Sequence, residues 1–117
     1  MSYMFGGACK FNSNISGWDT AGVTYVFAMF YETSEFDCDI SYWYTGGVTD
    51  MSYIFGGAYK FNGHISALNA AVVTDMFAMF QGATVFNGTI SDWDTDGVTT
   101  MSTMFPEAST FSVDVLN

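Results

Sequence analysis

Few residues in this sequence have the types needed for catalysis or for binding a metal ion. His64 is the only histidine, so no histidine-based metal cluster is expected. Cys9 and Cys38 are the only cysteines, and we expect both to be free thiols. Neither a Ser-His-Asp nor a Cys-His arrangement is indicated by the spacing of these residues. The sequence therefore predicts a protein that is not an enzyme and that carries no cofactor.

One short acidic segment has a spacing that could bind calcium. Asp92, Asp94 and Asp96 alternate along the chain, as in the opening of a calcium-binding loop. Such a loop closes with a bidentate glutamate at its twelfth position, where this chain has Thr103. The three aspartates are calcium candidates without the closing ligand, and a solvated acidic turn is the favoured interpretation.

Two sites match the acceptor pattern for N-glycosylation. Asn14 is followed by Ser16, and Asn87 by Thr89, at the spacing that the modification requires. A polar repeat sequence generates this pattern easily, so the match by itself is unspecific. Asn14 and Asn87 are kept as glycosylation candidates for a secreted protein.

The charge of the chain excludes several classes of partner. Two basic residues against twelve acidic ones give a net charge of -10, which argues against nucleic acid and against an anionic membrane surface. No run approaches the roughly 20 apolar residues of a spanning helix, and no signal peptide is visible. Charged residues are only 12% of the chain, so Ser, Thr, Asn and Gly must provide its solubility. This composition favours an extracellular or cell-surface location.

These residues are carried by a 25-residue repeat. Residues 1–12, MSYMFGGACKFN, recur with two changes as residues 51–62, MSYIFGGAYKFN. We number positions within each repeat from its first residue and divide the chain into 1–25, 26–50, 51–75, 76–100 and the partial repeat 101–117. The repeats predict one domain spanning residues 1–117, with aromatic columns as its core. The core candidates are Phe5, Phe30, Phe55, Phe80 and Phe105 at position 5, Phe11, Phe36, Phe61, Phe86 and Phe111 at position 11, and Trp18, Trp43 and Trp93 at position 18.

The spacing within a repeat predicts its local structure. Met51, Ile54, Phe55 and Ala58 stand at the i, i+3, i+4 and i+7 positions of one helix face. Residues 61–66 are predicted to form a short extended segment, and the WDT-x-G-V segment of residues 93–98 a turn. The predicted fold is an α/β leucine-rich-repeat-like solenoid of about five coils, each with a short strand and a short helix or 3₁₀ turn. An all-β solenoid is the alternative.

Smaller residues are assigned to the ends of these elements and to the contacts between coils. The predicted helix N-caps are Thr24, Thr49, Thr74 and Thr99, and Gly57 and Gly82 are predicted to end helices. Position 12 holds Asn12, Asp37, Asn62 and Asn87. An inward side chain there can hydrogen-bond the backbone of the adjoining coil, so we expect a structural ladder at this position.

The repeat resembles that of BspA-like surface proteins. The similarity is closest to the 25-residue type seen in mycoplasma lipoproteins. It is clearest in VTDMSYIFGGAYKFNGHISALN and FNGTISDWDTDGVTTMSTMF, and it covers the whole chain. Leu68 and Asn69 depart from it, because they stand where the pattern has Trp-Asp. The resemblance implies a leucine-rich-repeat solenoid with a surface, adhesive or structural role, and it supplies no catalytic residues.

We therefore expect a non-enzymatic extracellular structural or adhesive protein. Its expected partners are copies of itself, stacked head to tail into filaments, or other surface proteins and glycans. Neither end of the sequence shows a polar capping repeat, so the ends are expected to be covered by further sequence or by other copies. The alternative function is a calcium- or carbohydrate-binding module of a longer surface protein.

Overall fold

The computed structural model describes residues 1–105, which hold the first four repeats and the start of the fifth. Neighbouring repeats lie against each other in register. At position 12, for example, the Asp37 N–H donates a 2.8 Å hydrogen bond to Asn12 Oδ1, 25 residues earlier. The same relation joins Asn62 to Asp37 and Asn87 to Asn62, at 2.8 and 2.9 Å. The predicted ladder of side-chain to backbone hydrogen bonds is confirmed for these residues. The expected inward direction of the side chains is wrong, because Asn12, Asp37, Asn62 and Asn87 are all exposed.

In the first three repeats, positions 3 to 8 alternate two kinds of backbone hydrogen bond. In the third repeat, the Phe55 N–H donates to the Met79 carbonyl of the next repeat at 3.0 Å. The preceding N–H, that of Ile54, donates instead to the Met51 carbonyl of its own repeat at 3.2 Å and closes a turn. Each turn is thus followed by a bond to the neighbouring repeat, and no N–H in this segment is left for a helical i→i−4 bond.

Position 3 of each repeat has a left-handed backbone. The φ angles are 55° at Tyr3, 51° at Ala28, 56° at Tyr53, 50° at Ala78 and 54° at Thr103. An α-helix needs φ near −63° at each residue, so a left-handed residue at this position prevents a helix from propagating. The chain therefore turns repeatedly where the apolar spacing predicts a helix.

The predicted α/β solenoid is wrong. Residues 1–105 contain no helix, and hence none able to span a membrane. Their β-structure consists of isolated parallel bridges between single residues: Tyr25–Asp50, Asp50–Asp75 and Asp75–Thr100. The all-β alternative is therefore wrong as well. The chain forms a compact globule of 34 × 33 × 19 Å with a radius of gyration of 12.7 Å, close to the ~13 Å of a globular domain of about 100 residues.

The residues predicted to line a helix face are nevertheless buried. Met51, Ile54, Phe55 and Ala58 are 1%, 3%, 0% and 0% exposed. Consecutive turns bring them to the same core, so the apolar spacing reports burial and not helical geometry. The predicted extended segment at 61–66 contains no bridge; the bridges lie at the end of each repeat instead.

The threonines at position 24 join repeats instead of capping helices. The Thr49 N–H and hydroxyl both donate to the Thr24 carbonyl, at 2.9 and 3.3 Å. Thr74 bonds Thr49, and Thr99 bonds Thr74, in the same way. The prediction of helix N-caps was therefore wrong.

The two left-handed glycines predicted to end helices lie inside the run of turns. Gly57 and Gly82 both have φ of 71°, and no helix precedes either of them. The predicted turn at the end of each repeat is confirmed, because the Val98 N–H donates to the Thr95 carbonyl at 3.0 Å and Val23 bonds Thr20 likewise.

Stacked phenylalanine rings form the centre of the core. Within the third repeat, the Phe55 and Phe61 rings lie 4.0 Å apart between centroids, with planes 7° from parallel. Across repeats, Phe55 stacks on Phe30 at 6.0 Å and on Phe80 at 5.6 Å. The predicted contact between phenylalanines of successive repeats is confirmed.

Candidate functional site

The core candidates differ in burial according to their repeat. Phe5, Phe11 and Phe105 are only partly buried and pack against the core. Phe111 lies outside the described residues. The fully buried members are Phe30, Phe36, Phe55, Phe61, Phe80 and Phe86.

In the position 18 column, the buried tryptophans donate indole hydrogen bonds to backbone carbonyls. Trp43 and Trp93 are 5% and 7% exposed, and the Trp43 Nε1–H donates to the Ile15 carbonyl at 3.0 Å. Trp18 departs from the buried pattern, with 40% exposure. Leu68 stands at this position in the third repeat and is 5% exposed. It therefore continues the core but has no indole N–H to donate.

The three calcium candidates do not converge on a common point. Asp92, Asp94 and Asp96 are all exposed. Within residues 1–105, no three acidic, histidine or cysteine side chains form a group that could hold a metal ion. Asp94 has a local role, because its Oδ1 accepts the Asp96 N–H at 3.1 Å and closes a small turn. His64, the single histidine, is exposed.

Other aspartates close turns in the same way. Asp50 Oδ1 accepts the Ser52 N–H at 2.8 Å, and Asp39 Oδ1 accepts the Ser41 N–H at 2.8 Å. Hydrogen bonds from the Ser41 hydroxyl and backbone lower the pKa of Asp39. Many of the acidic residues that give the chain its charge therefore stabilise turns.

The two glycosylation candidates are exposed. Asn14 closes a turn, since its Oδ1 accepts the Ser16 N–H at 3.0 Å and the Ser16 hydroxyl at 2.7 Å. Asn87 donates its backbone N–H to Asn62 in the position 12 ladder. Modification of either asparagine remains a prediction.

The cysteines are free, as expected, and they differ in environment. Cys9 is exposed, whereas Cys38 is partly buried. The Cys38 thiol lies 3.2 Å from Asn12 Oδ1 and 3.2 Å from the Ser13 carbonyl. Burial, followed by the charge of the adjacent Asp37, raises the pKa of this thiol.

A row of aromatic rings crosses four repeats on the surface. We call it the aromatic ridge and define it as Tyr3, Phe27, Tyr31, Tyr53 and Phe77. Its rings meet edge to face, with centroids 5.4 Å apart for Tyr3–Phe27, 6.0 Å for Phe27–Tyr53 and 5.3 Å for Tyr53–Phe77. Tyr31 joins the row at 5.7 Å from Tyr53 and 6.3 Å from Tyr3.

The ridge arises from an alternation between odd and even repeats. Positions 2 and 3 are Ser-Tyr in the first and third repeats and Phe-Ala in the second and fourth. The bulky ring therefore shifts by one position from each repeat to the next, and the rings interlock. This alternation is visible in the sequence, but the prediction of 25-residue columns treats every repeat alike and misses it.

A small cleft lies beside the ridge. It has a volume of about 140 Å³ and is lined by Tyr31, Glu32, Gly57, Tyr59, Gln81 and Gly82. Its side chains are accessible, since Tyr59 is 52% exposed and Glu32 and Gln81 are exposed. The charge of the Glu32 carboxylate raises the pKa of Tyr31, with burial and a hydrogen bond to Glu32 adding to the shift, so the phenol keeps its proton.

Glycine backbone makes room for the cleft. A Cβ on Gly82 would lie 3.5 Å from Tyr59 Cε1, and one on Gly57 would lie 3.2 Å from Glu32 Cα. The Tyr31 ring lies against Gly56 in the same way, because a Cβ on Gly56 would lie 3.0 Å from Tyr31 Cδ2. Two tyrosine rings, a carboxylate and an amide therefore surround a floor without side chains.

Comparison with known protein families finds one family whose two matches together cover the whole chain. The family described as "Mycoplasma protein of unknown function, DUF285" matches residues 1–66 and again residues 38–117. No curated protein and no solved structure matches the chain. The match supports the mycoplasma part of the resemblance seen in the sequence, and not its BspA-like leucine-rich-repeat part. The chain belongs to the DUF285 family of Mycoplasma proteins.

Proposed function

We propose that the protein is a non-enzymatic extracellular protein with a structural and adhesive role, and that its aromatic ridge binds proteins or glycans of another surface. The ridge is the observation that carries the proposal. Tyr3 is 56% exposed, and the other rings of the ridge are partly accessible. Tyrosine offers a large contact area with few torsions to immobilise, which suits a binding surface. A contiguous patch of accessible apolar surface is also typical of interaction sites.

The packing of the ridge favours a rigid binding surface. Each ring touches rings of neighbouring repeats, so Tyr53 is held between Phe27 and Phe77 at 6.0 and 5.3 Å. A surface that is already ordered loses little entropy when it binds. The low content of charged residues and the abundant Ser, Thr and Asn support the extracellular location that we propose.

Head-to-tail assembly of copies is a second element of the proposal. Repeats are joined inside the chain by ring stacking, as in Phe55–Phe80, and by ladders such as Thr74–Thr49. The same contacts can join repeats of different copies, because the first four repeats present the same positions to their neighbours. A non-closing contact of this kind produces filaments. Electron microscopy of the purified chain tests this element, and particles that stay monomeric at high concentration would refute it.

The adhesive role can be tested with a substitution that the chain itself already contains. Tyr53→Ala places at position 3 the alanine found there in Ala28 and Ala78. We expect this variant to fold and to lose most binding to cultured animal cells, measured with fluorescent beads that carry the purified chain. The double variant with Tyr3→Ala should lower binding further.

The matched control is Tyr42→Ala. Tyr42 is 85% exposed and is not part of the ridge. This variant should bind cells as the unchanged chain does. Equal binding by the Tyr53→Ala and Tyr42→Ala variants, or no binding by the unchanged chain, would refute the adhesive role of the ridge.

A further inference from the structure

The cleft beside the ridge has the chemistry of a sugar-binding site. Its volume of about 140 Å³ is roughly half the lower limit of ~300 Å³ for sites that hold drug-sized ligands. A single ring-sized group fits such a space, whereas a folded peptide does not. The cleft is open to solvent at side chains that are exposed, so its ligand can remain attached to a larger molecule.

The polar groups of the cleft match the hydroxyl groups of a sugar. The Glu32 carboxylate accepts hydrogen bonds, and the Gln81 amide can both donate and accept them. The Tyr31 and Tyr59 hydroxyls add further donors and acceptors. A pyranose ring carries several hydroxyl groups that need such partners, together with a C–H face that packs on aromatic rings.

The charges indicate which sugars are accepted. Glu32 is an acidic residue at the cleft, and the whole chain carries a net charge of -10. Among the described residues that line the cleft there is no lysine or arginine. An anionic sugar would meet like charge on entering, so a neutral sugar is favoured.

The combination of residues occurs once in the sequence. Tyr31 stands at position 6, where the other repeats have Gly6, Gly56, Gln81 and Pro106. Tyr59 stands at position 9, where Cys9, Ser34, Thr84 and Ser109 are found instead. Tyr31 and Tyr59, which both depart from the repeat pattern, therefore lie at the same cleft. Each tyrosine ring lies against the backbone of a glycine.

We propose that the cleft formed by Tyr31, Glu32, Tyr59 and Gln81 binds one neutral hexopyranose residue of a surface glycan. The inference rests on the adhesive function proposed above and names one ligand for that surface. The sugar lies against the tyrosine rings, and its hydroxyls bond the Glu32 carboxylate and the Gln81 amide. The ridge then contacts the remainder of the glycan or the protein that carries it.

Saturation-transfer NMR of the full chain tests this directly. The probes are the methyl glycosides of galactose, glucose and mannose at millimolar concentration, with the methyl glycoside of N-acetylneuraminic acid as the anionic probe. We expect saturation transfer to at least one neutral glycoside and none to the anionic one. Absence of transfer to all three neutral glycosides would overturn the proposal.

Single substitutions test whether the glycoside binds in the cleft. Tyr59→Ala should weaken the affinity for the bound glycoside about tenfold, because an aromatic contact of ~1.4 kcal/mol is lost. Glu32→Gln should weaken it by a similar factor, since it replaces one carboxylate acceptor with a donor. Tyr42→Ala, away from the cleft, should leave the affinity unchanged. An affinity that is the same in Tyr59→Ala and in the unchanged chain would also overturn the proposal.

The two proposals fail separately. A chain that binds the glycosides but not cells retains the cleft and refutes the adhesive function. A chain that binds cells through the ridge, with no transfer to any neutral glycoside, refutes the cleft and retains the adhesive function.

Discussion

The Phe55 ring stacks on the Phe80 ring, 25 residues later, with centroids 5.6 Å apart and planes 17° from parallel. Both side chains are fully buried. This contact repeats along the column, so Phe30, Phe55 and Phe80 are each packed between the rings of two neighbouring repeats. The core is therefore built from contacts between repeats and depends on them for its stability.

The first prediction compares a fully buried phenylalanine of this column with a partly buried one. Phe55→Ala should lower the free energy of unfolding by about 3–5 kcal/mol, because it leaves a cavity among fully buried rings. Phe5→Ala, in the same column, should lower it by less, since Phe5 is only partly buried. Urea denaturation of both variants provides the measurement. Equal losses would show that burial in the column does not determine stability.

The second prediction concerns the left-handed residue at position 7. Glu32 has φ of 56°, whereas its equivalents in the first, third and fourth repeats, Gly7, Gly57 and Gly82, are glycines with φ of 71–75°. Glu32→Gly should raise the melting temperature, since glycine relieves a conformational strain of about 1 kcal/mol.

The reverse change provides the control for this prediction. Gly57→Ala should lower the melting temperature, because the new Cβ would meet the Glu32 backbone at 3.2 Å in a left-handed conformation. Opposite shifts in the two variants are expected from calorimetry. A stabilising Gly57→Ala would contradict the backbone geometry described for this position.

The third prediction concerns the position 12 ladder. Asn62→Ala removes the Oδ1 that accepts the Asn87 N–H at 2.9 Å and should destabilise the protein by about 1 kcal/mol. Asn62→Asp keeps an acceptor at the same place, as Asp37 does in the second repeat, and should have little effect at neutral pH. Urea denaturation distinguishes these outcomes, and equal losses for both variants would argue against the ladder.

The fourth prediction concerns the thiols. Cys38 is partly buried and its pKa is raised, so at a given pH less of it is thiolate than in an ordinary cysteine. Iodoacetamide should therefore modify the exposed Cys9 first, with the gap narrowing as the pH rises through the pKa of Cys38 and its thiolate fraction increases. Mass spectrometry of peptides follows both sites. Faster modification of Cys38 at pH 8 would contradict the partly buried environment of its thiol.

The sequence predicts contacts between repeats better than it predicts backbone conformation. The columns of phenylalanine and the Asn62 ladder follow from residue type and a fixed period, and both are present in the structure. The helix at residues 51–58 was expected from apolar spacing, which reports only that the side chains face one core. Nothing in the residue types Tyr53 or Ala78 indicates their left-handed backbone, since such φ values are typical of glycine and asparagine.

The candidate site was predictable only in part. The aromatic ridge could have been found from the alternation of Ser52-Tyr53 with Phe77-Ala78, which gives a 50-residue period on top of the shorter one. The cleft could not, because it depends on how Tyr59 of the third repeat approaches the Gly82 backbone of the fourth. The calcium candidates were indicated by local spacing alone, and Asp94 closes a turn in the structure instead.

One NMR measurement distinguishes the alternation of turns with bonds between repeats from a helix. In a protein labelled with ¹⁵N and ¹³C, scalar coupling across hydrogen bonds identifies the carbonyl that each N–H contacts. We predict coupling between the Phe55 nitrogen and the Met79 carbonyl carbon, across the 3.0 Å bond to the next repeat. Coupling from Phe55 to the Met51 carbonyl, four residues earlier, would show a helix and contradict the account.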